Sequence, residues 1–295
     1  MKNIGGQAVI EGVMMKGSNG WTVAVRDQGG DIHLKTVQLK RLPKFFRMPF
    51  VRGVFGLYQA LSIGIKALEF SAGKAYNEAD EKPMSSLAIG STITFSMILG
   101  IGLFIFLPLY VTRLAGFFIS SISASSLVFN MVDGLARVFI FLIYIFAIGL
   151  WKEMRRVFEY HGAEHKVIHA YEAGRELDLE NVREFSPHHP RCGTSFLLIV
   201  MVISILVFSF IPNTWPFLGK FLSRIILIPL IAGVSYELLR FSARMKDNLF
   251  LNLLVLPGLM LQKLTTREPD PSQIEVAIRA MSEVLKLEGI DASEA

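Results

Sequence analysis

Two long runs of uncharged residues dominate the hydrophobic pattern of the chain. Residues 84–112 carry no charge over 29 positions, and residues 193–219 carry none over 27. About 20 predominantly apolar residues suffice for one helix across a bilayer core of about 30 Å. Two shorter apolar runs, 138–151 and 225–236, each follow one of the long runs and would close a hairpin with it. The pattern therefore predicts about four transmembrane helices.

The segments outside these runs have other patterns. Residues 1–48 are punctuated by glycine, and two alternating segments around Asp27-Gln-Gly-Gly30 predict a β-hairpin. Residues 49–83 begin with an apolar helix preceded by Lys and Arg, which indicates either an interfacial helix or a helix packed on the cytoplasmic ends of the bundle. Residues 249–261 are too short to span a bilayer and contain a Pro-Gly pair, which indicates an interfacial or re-entrant segment. The apolar periodicity after Pro271 predicts an amphipathic helix.

The distribution of lysine and arginine orients the predicted helices. Residues 1–83 hold 12 of these cations, residues 152–192 hold seven and residues 240–295 hold seven, whereas the other two connections are poor in them. Short loops rich in Lys and Arg remain on the cytoplasmic side of a membrane. Both termini and the segment between the two hairpins are therefore expected to be cytoplasmic.

The composition agrees with a membrane protein and argues against other classes. A hydrophobic content of 52% and a mean hydropathy of +0.46 are too high for an ordinary soluble enzyme. The net charge of +5 fits a protein that lies against an anionic leaflet and does not indicate a specific nucleic-acid partner. A single cysteine rules out an internal disulfide. The glycine-rich start does not have the pattern of a cleavable signal peptide, and Lys16-Gly17-Ser18 does not match a phosphate-binding loop.

The predicted fold class is a mainly α, polytopic membrane protein with about four transmembrane helices. A cytoplasmic cap with a small N-terminal β unit would complete it. These patterns divide the chain into a β-rich unit (1–48), an interfacial helix (49–83), a first transmembrane hairpin (84–151), a histidine-rich segment (152–192), a second transmembrane hairpin (193–240) and an interfacial segment with a C-terminal helix (241–295).

The histidine-rich segment carries the candidate chemistry. Five of the six histidines lie within the 29 residues from His161 to His189. On a helix, His161 and His165 fall one turn apart on one face, with Glu164 beside them. His169 lies one turn further, and three histidines at this spacing rise about 12 Å in all. One ion therefore binds His161 and His165 more easily than all three. A single unbroken helix over residues 134–173 would hold these histidines rigidly at the membrane surface.

A proline-bounded loop, Ser186-Pro-His-His-Pro-Arg-Cys192, supplies further metal-binding residue types. Histidine and cysteine suit zinc or another borderline divalent metal. His161-Gly-Ala-Glu164-His165 also has the spacing of inverzincin metallopeptidases, in which two histidines hold zinc and the glutamate moves a proton. We therefore expect Glu164 to be the catalytic base. The expected metal ligands are His161 and His165, together with one or two of His188, His189 and Glu237. The accessory candidates are Glu11, His169, Arg191 and Cys192.

Each of these residues also has a structural interpretation. A histidine cluster can brace a fold or an interaction surface without binding a metal. Glu11 can stabilise a turn, and Glu237 can pair with Arg240 on its own helix. Cys192 is either a thiolate favoured by a helix N-terminus and Arg191, or a small buried core residue.

Five segments resemble a known family. They are Gly5-Gly-Gln-Ala-Val-Ile-Glu-Gly-Val-Met-Met15, the helix with Pro49-Phe-Val-Arg-Gly53 and Ser71-Ala72, Tyr160-His-Gly-Ala-Glu-His-Lys166, Ser186-Pro-His-His-Pro-Arg-Cys-Gly-Thr-Ser195 and Leu261-Gln-Lys-Leu-Thr-Thr-Arg-Glu-Pro269. They are similar to the bacterial DUF1385 family of YqhQ-like membrane proteins, and the resemblance covers essentially the whole chain. It implies a protein of the bacterial cytoplasmic (inner) membrane and a metal-dependent enzyme.

Two functions are therefore expected. The first is a metal-dependent hydrolase at the cytoplasmic face of the lipid bilayer, with a divalent metal such as zinc. The alternative is a non-catalytic scaffold or accessory factor that binds a translocon, a ribosome or another membrane assembly. A transporter is less consistent with the sequence, because few polar residues lie along the predicted helices and no repeat is evident.

Overall fold

A computed structural model describes residues 4–40, 43–49, 51–76, 86–190, 192–242 and 249–290. Arg191 and residues 77–85 lie outside the described residues. The described chain is mainly helical, with a small sheet at its start. Its helices are α1 (Val51–Ala75), α2 (Ser86–Ile101), α3 (Leu107–Phe118), α4 (Ser120–Ala124), α5 (Ser126–Ile148), α6 (Lys152–Glu172), α7 (Leu179–Arg183), α8 (Gly193–Phe208), α9 (Phe217–Ser242), α10 (Leu249–Thr265) and α11 (Pro271–Leu287).

The N-terminal segment forms an antiparallel sheet with the strand order β1-β2-β3-β4 within the described residues. The strands are β1 (Gly5–Val9), β2 (Gly12–Lys16), β3 (Gly20–Arg26) and β4 (Ile32–Gln38). The predicted β-hairpin is confirmed: it joins β3 to β4. Its turn ends at Gly30, whose φ of 94° is a conformation that favours glycine.

The central strands β2 and β3 are buried on both faces, which explains why they are mostly apolar at consecutive positions. Val13 and Met15 point to one side, where they pack with the apolar faces of α6 and α11. Met14 and Val23 point to the other side, toward α1. Because side chains alternate across a strand, two partners on opposite faces require apolar residues at every position. We call the three layers of α1, the sheet and α6 with α11 the sheet unit.

Helix α1 presents an apolar stripe that no described residue covers. The stripe recurs every three or four positions and consists of Val54, Tyr58, Leu61, Ile65 and Leu68, which are all exposed. The opposite side of α1, with Ile63 and Ala67, is buried against the sheet. An amphipathic helix of this kind fits the expected position at a membrane interface.

Within the described residues, three helical stretches are long and apolar enough to cross a membrane. They are Gly90–Phe118, in which a π-helical turn joins α2 to α3, Ser126–Ile148 and Phe217–Leu239. Helix α8 is apolar but shorter, and its 16 residues rise about 24 Å. The structure therefore agrees with the expectation of a membrane protein, with three candidate spans where the sequence predicts four.

The continuous helix expected over residues 134–173 is not present. Helix α5 ends at Ile148, and α6 begins at Lys152 after a turn through Gly149. The N–H of Trp151 bonds to the carbonyl of Ile148 at 3.1 Å within this turn. Trp151 is extended at the break, with φ −74° and ψ 137°, and the sequence changes from apolar to charged at residue 152. Helix α6 is therefore a separate helix, and it packs in the sheet unit against β1, β2 and α11.

The apolar helices are joined by a buried network of charged and polar side chains. Asp133 accepts hydrogen bonds from Arg137 at 2.7 Å and pairs with Arg224 at 3.1 Å, and all three residues are buried. The ring of Phe208 lies against both guanidinium groups. Since a buried charge is costly without a partner, Asp133 holds in place Arg137 of its own helix α5 and Arg224 of α9.

We expect Asp133→Asn to destabilise the protein. The amide keeps the shape of the side chain but leaves two guanidinium groups facing each other, and breaking a buried pair typically costs about 3–5 kcal/mol. Thermal unfolding in detergent measures the loss. Adding Arg224→Met to the same chain should restore part of it, because one of the two like charges is then removed. Unchanged unfolding of both variants would contradict this role of Asp133.

Candidate metal centre

Helix α6 places His161, Glu164 and His165 on one face, as its periodicity predicts. Glu164 and His165 are 5% and 1% exposed, and His161 is half-buried. Gly162 lets another chain segment cross the helix, because a Cβ at this position would overlap the carbonyl oxygen of Arg267. The N–H of Arg267 donates to the carbonyl of Phe158 at 2.9 Å. The segment between α10 and α11 is thereby held against α6.

Two backbone carbonyls orient the first two histidines. Nδ1 of His161 donates to the carbonyl of Thr265 at 2.8 Å, and Nδ1 of His165 donates to the carbonyl of Pro187 at 2.6 Å. Because a carbonyl only accepts, both Nδ1 atoms carry a hydrogen, so the lone pair of a neutral ring is on Nε2. Metal-binding histidines in proteins are commonly held by such a bond from the other ring nitrogen.

The loop that contains Pro187 is itself held by one glutamine. The side-chain oxygen of Gln262 accepts from the N–H of His189, and its amide nitrogen donates to the carbonyl of His189, both at 2.8 Å. Gln262 is fully buried at the end of α10. The loop therefore lies in one position against α6, and its backbone contacts α6 directly.

These contacts bring three side chains together, those of His161, His165 and Cys192. One ligand atom from each of His161, His165 and Cys192 lies within 4.8 Å of the other two. Nε2 of His161 is 3.1 Å from Sγ of Cys192, and the two imidazole rings are 4.4 Å apart between centroids. Two nitrogens and one sulfur are ligands that zinc commonly takes, and three protein ligands leave a fourth position open.

Nε2 of His165 is the atom that most directly fits a metal. It is buried and has no hydrogen-bond partner among the described residues. A buried acceptor without a partner typically costs about 1–3 kcal/mol. Burial, together with the neighbouring His161, lowers the pKa of His165 to about 2, although the bond to Pro187 opposes this shift. The imidazole is therefore neutral, and its buried lone pair faces the other two groups of the cluster.

Cys192 caps the N-terminus of α8, as the sequence predicts. Its sulfur accepts hydrogen bonds from the N–H and the hydroxyl of Thr194 at 3.4 and 3.2 Å. Burial nevertheless raises the pKa of the thiol, and the two bonds from Thr194 only partly offset this effect. Burial thus outweighs the helix N-terminus, which favours a thiolate. A bound cation would reverse the balance, because metals deprotonate thiols that coordinate them.

Glu164 lies beside this cluster in an unusual environment for a carboxyl group. Burial raises its pKa to about 8, the neighbouring Cys192 adds to the rise, and His161 and a hydrogen bond from the Gly6 N–H oppose it. A Cβ on Gly6 would come within 2.8 Å of the carboxyl atoms. Strand β1 can therefore approach Glu164 only because a glycine occupies this position.

The remaining histidines lie next to the cluster. His169 and His189 pack ring against ring at 4.4 Å, and Nε2 of His189 is 3.3 Å from a carboxylate oxygen of Glu172. Nε2 of His169 donates to the carbonyl of His188 at 2.9 Å. The His188 ring lies 3.5 Å from the hydroxyl of Ser186. The rings of His189 and His169 extend the row of imidazoles from His165, but none of these three histidines belongs to the group of three.

The two other acidic candidates are paired with arginines. Glu237 accepts two hydrogen bonds from Arg52 of α1, so it links α9 to α1. Glu11 accepts from Arg156 and, at 3.3 Å, from the hydroxyl of Tyr160. Its backbone has a φ of 49°, which non-glycine residues adopt infrequently. Glu11 thus occupies the β1–β2 turn, as its structural interpretation states, and attaches the turn to α6.

Sequence reasoning did not single out four residues on which this geometry depends. They are Gly6, Gly162, Thr265 and Gln262. Each acts through a close approach or a backbone atom, which residue chemistry does not reveal. The sequence feature that could have identified these four residues is their position, because all four lie inside segments that carry the family resemblance.

Comparisons with known proteins confirm that resemblance. The family model described as "Protein of unknown function (DUF1385)" matches residues 48–287. The chain is 34% identical over 302 residues to the "Uncharacterized protein YqhQ" of Bacillus subtilis (strain 168), with 97% of this chain and 93% of that protein covered. No solved structure matches the chain.

The contact between β1 and Glu164 gives a matched pair of variants. Gly6→Ala should destabilise the protein by about 1–3 kcal/mol, the usual effect of overpacking a buried site, because the methyl group meets the buried carboxyl. Gly5→Ala, on the same strand, has nothing within 4 Å of its added Cβ and should have little effect. Thermal unfolding in detergent compares the two. Equal stability of both variants would show that the close approach has no energetic importance.

Proposed function

The chain belongs to the DUF1385 family, and from this membership and the geometry of its buried cluster we propose that it is a membrane-bound, metal-dependent hydrolase. The observation that carries the proposal is the buried, unpartnered Nε2 of His165. It faces a second imidazole and a thiol, and a carboxyl group of raised pKa lies beside them. Groups with strongly shifted pKa values that share one site are typical of functional sites.

In this proposal His161, His165 and Cys192 hold a divalent ion such as zinc. The ion would supply Lewis acidity at the position that the three ligands leave open. The carbonyls of Thr265 and Pro187 keep the two imidazoles in the tautomer that presents Nε2. His188, His189 and Glu237 then support the site or the fold rather than ligate the ion, because their described contacts are with other groups.

Glu164 is the proton-transfer group in this proposal. A general base works best when its pKa lies near the working pH, and the burial of Glu164 raises its pKa to about 8. A cation in the neighbouring cluster would lower this pKa again, because it favours the carboxylate. The carboxyl group can therefore take a proton from an attacking water and return it to the leaving group. The Gly6 N–H keeps one of its oxygens in place.

The membrane arrangement in this proposal has four spans. What supports α8 as the fourth is its apolar sequence, its contact with α5 and α9, and a rise of about 24 Å. The lysine and arginine distribution then locates both termini and the sheet unit in the cytoplasm of a bacterial cell, against the inner membrane. The exposed apolar stripe of α1 would lie in the interface.

Three variants test the metal site and the base. His165→Ala should lose the metal, because a ligand is removed. Glu164→Gln should keep the metal and the fold but lower activity by about 10²–10⁴, the usual contribution of a general base. His188→Ala is the matched control, because it removes an imidazole outside the cluster. This variant should retain both the metal and the activity. Elemental analysis of the purified protein and complementation of a deletion strain measure the two properties.

The same experiment separates the enzyme from the scaffold. If the wild-type protein carries no metal and Glu164→Gln complements fully, the hydrolase is wrong. A non-catalytic partner of a translocon, a ribosome or another membrane assembly would then be the better explanation.

Reporter fusions test the proposed topology. Fusions after residues 83, 170 and 280 should report a cytoplasmic position, and fusions near residues 120 and 220 should report an external one. The physical reason is the excess of lysine and arginine in the first group of segments. An external signal at residue 170 would reverse the orientation and remove the cytoplasmic site.

A further inference from the structure

Two cavities of different character meet at the buried cluster. The first cavity, which we call the polar cavity, has a volume of about 780 Å³ and a mixed lining. Its polar lining residues are Lys16, Ser18, His165, Glu172 and His189, among others, and apolar residues such as Ile63 lie beside them. The apolar cavity has a volume of about 600 Å³, and its lining includes Leu61, Ile65, Phe141, Ile145, Leu197 and Leu261. Glu164 and Cys192 line both cavities. A molecule that reaches the cluster can therefore have one polar and one apolar part.

The apolar cavity lies beside the candidate membrane helices. Phe141 and Ile145 belong to the candidate span Ser126–Ile148, and Leu197 belongs to α8. On the other side its wall is α1, where Leu61 and Ile65 are members of the exposed apolar stripe. The cavity is thus continuous with surfaces that suit lipid. Its entrance would face the acyl region of the bilayer just below the headgroups.

We propose that the substrate of this site is a membrane lipid that enters sideways from the bilayer between α1, α5 and α8. Its acyl chain occupies the apolar cavity, and its ester-linked polar head reaches past Glu164 and Cys192 into the polar cavity. The proposal rests on the proposed hydrolase function, because it uses the same cluster as the reacting centre.

The size of the apolar cavity favours an acyl chain over a peptide. A methylene group occupies about as much space as a water molecule, roughly 30 Å³, so about 600 Å³ has room for roughly 20 of them. A helix with its side chains is about 10 Å across and rises 5.4 Å per turn, which gives roughly 400 Å³ per turn. The apolar cavity would therefore hold less than two turns of a helical transmembrane peptide. One lipid chain fits entirely.

The reaction is the hydrolysis of an ester linkage, with water as the second reactant. The oxygen of water bonds to the carbonyl carbon or to the phosphorus of the linkage, and Glu164 takes a proton from this water. The bond from that carbon or phosphorus to the alcohol oxygen breaks, and Glu164 returns the proton to the alcohol. No oxidant or reductant is needed. The polar cavity admits the water and receives the released head group, while the acyl chain remains in the apolar cavity.

Filling the apolar cavity tests this proposal. Leu197→Trp enlarges a cavity-lining side chain, whereas Leu206→Trp makes the same change on the same helix outside the lining. Both leucines are similarly exposed, at 45% and 57%. A second pair of variants lies on α1: Ile65→Trp changes a lining residue, and Val54→Trp changes a residue outside the lining. The native Ile65 and Val54 are similarly exposed, at 39% and 40%. The second pair keeps the test valid if one cavity variant fails to fold.

The probe is a phosphatidylglycerol with a diazirine in one acyl chain, presented to the full-length protein in nanodiscs. Crosslinks in the wild-type protein should map to the lining segments of α1, α5 and α8. Leu197→Trp and Ile65→Trp should reduce this crosslinking at least about five-fold, and the two controls should not. Metal content should remain unchanged in all four variants, because none of them replaces a proposed ligand. Native mass spectrometry should also detect lipid bound to the wild-type protein.

The outcomes distinguish this proposal from the hydrolase. Wild-type crosslinking outside the lining, or undiminished crosslinking in both cavity variants, overturns the lipid substrate even if the metal is present. A co-purified peptide at the cavity in place of lipid also overturns it. Lipid crosslinking in a wild-type protein without metal overturns the hydrolase and leaves a lipid-binding cavity. Release of fatty acid or of the phosphorylated head group from the bound lipid identifies which ester bond is cleaved.

Discussion

The donation of two imidazole N–H groups to backbone carbonyls is the interaction on which the candidate site depends. Thr265 and Pro187 provide the carbonyls, and they lie in segments far from α6 in the chain. Because these bonds use Nδ1, the lone pairs of both histidines turn toward Cys192. A buried polar atom normally has a partner. Nε2 of His165 has none among the described residues, and this is the observation that supports the proposed metal site.

Close backbone approaches make that arrangement sterically feasible. Gly6 allows β1 to touch the carboxyl group of Glu164, and Gly162 allows the segment before α11 to cross α6. Gln262 holds the loop after α7 against this site, because its side chain bonds to both the N–H and the carbonyl of His189. The sheet, the loop and the end of α10 therefore surround one face of α6. Burial by these surroundings raises the pKa of Glu164 and lowers that of His165, so the packing of the fold produces the electrostatics of the site.

The apolar helices and the sheet unit meet at the candidate site. Helix α8 begins at the candidate ligand Cys192, and α1 is attached to α9 through Arg52 and Glu237. The cluster consequently lies where a polar cavity and an apolar cavity adjoin. A reacting centre in this position suits a molecule that belongs partly to water and partly to lipid. The buried pairing of Asp133 with two arginines holds the bundle together away from this boundary.

The sequence by itself determined the features that depend on neighbouring residues. Uncharged runs predicted the apolar helices, the turn before Gly30 predicted the hairpin, and helical periodicity predicted that His161 and His165 share a face with Glu164. The tertiary structure decided which loop atoms meet that face. It brought Cys192 to the two histidines, directed the ring of His188 toward Ser186, and separated α5 from α6. Periodicity is a local property of the backbone, whereas the bond from His161 to Thr265 joins residues 104 positions apart and exists only after the fold has formed.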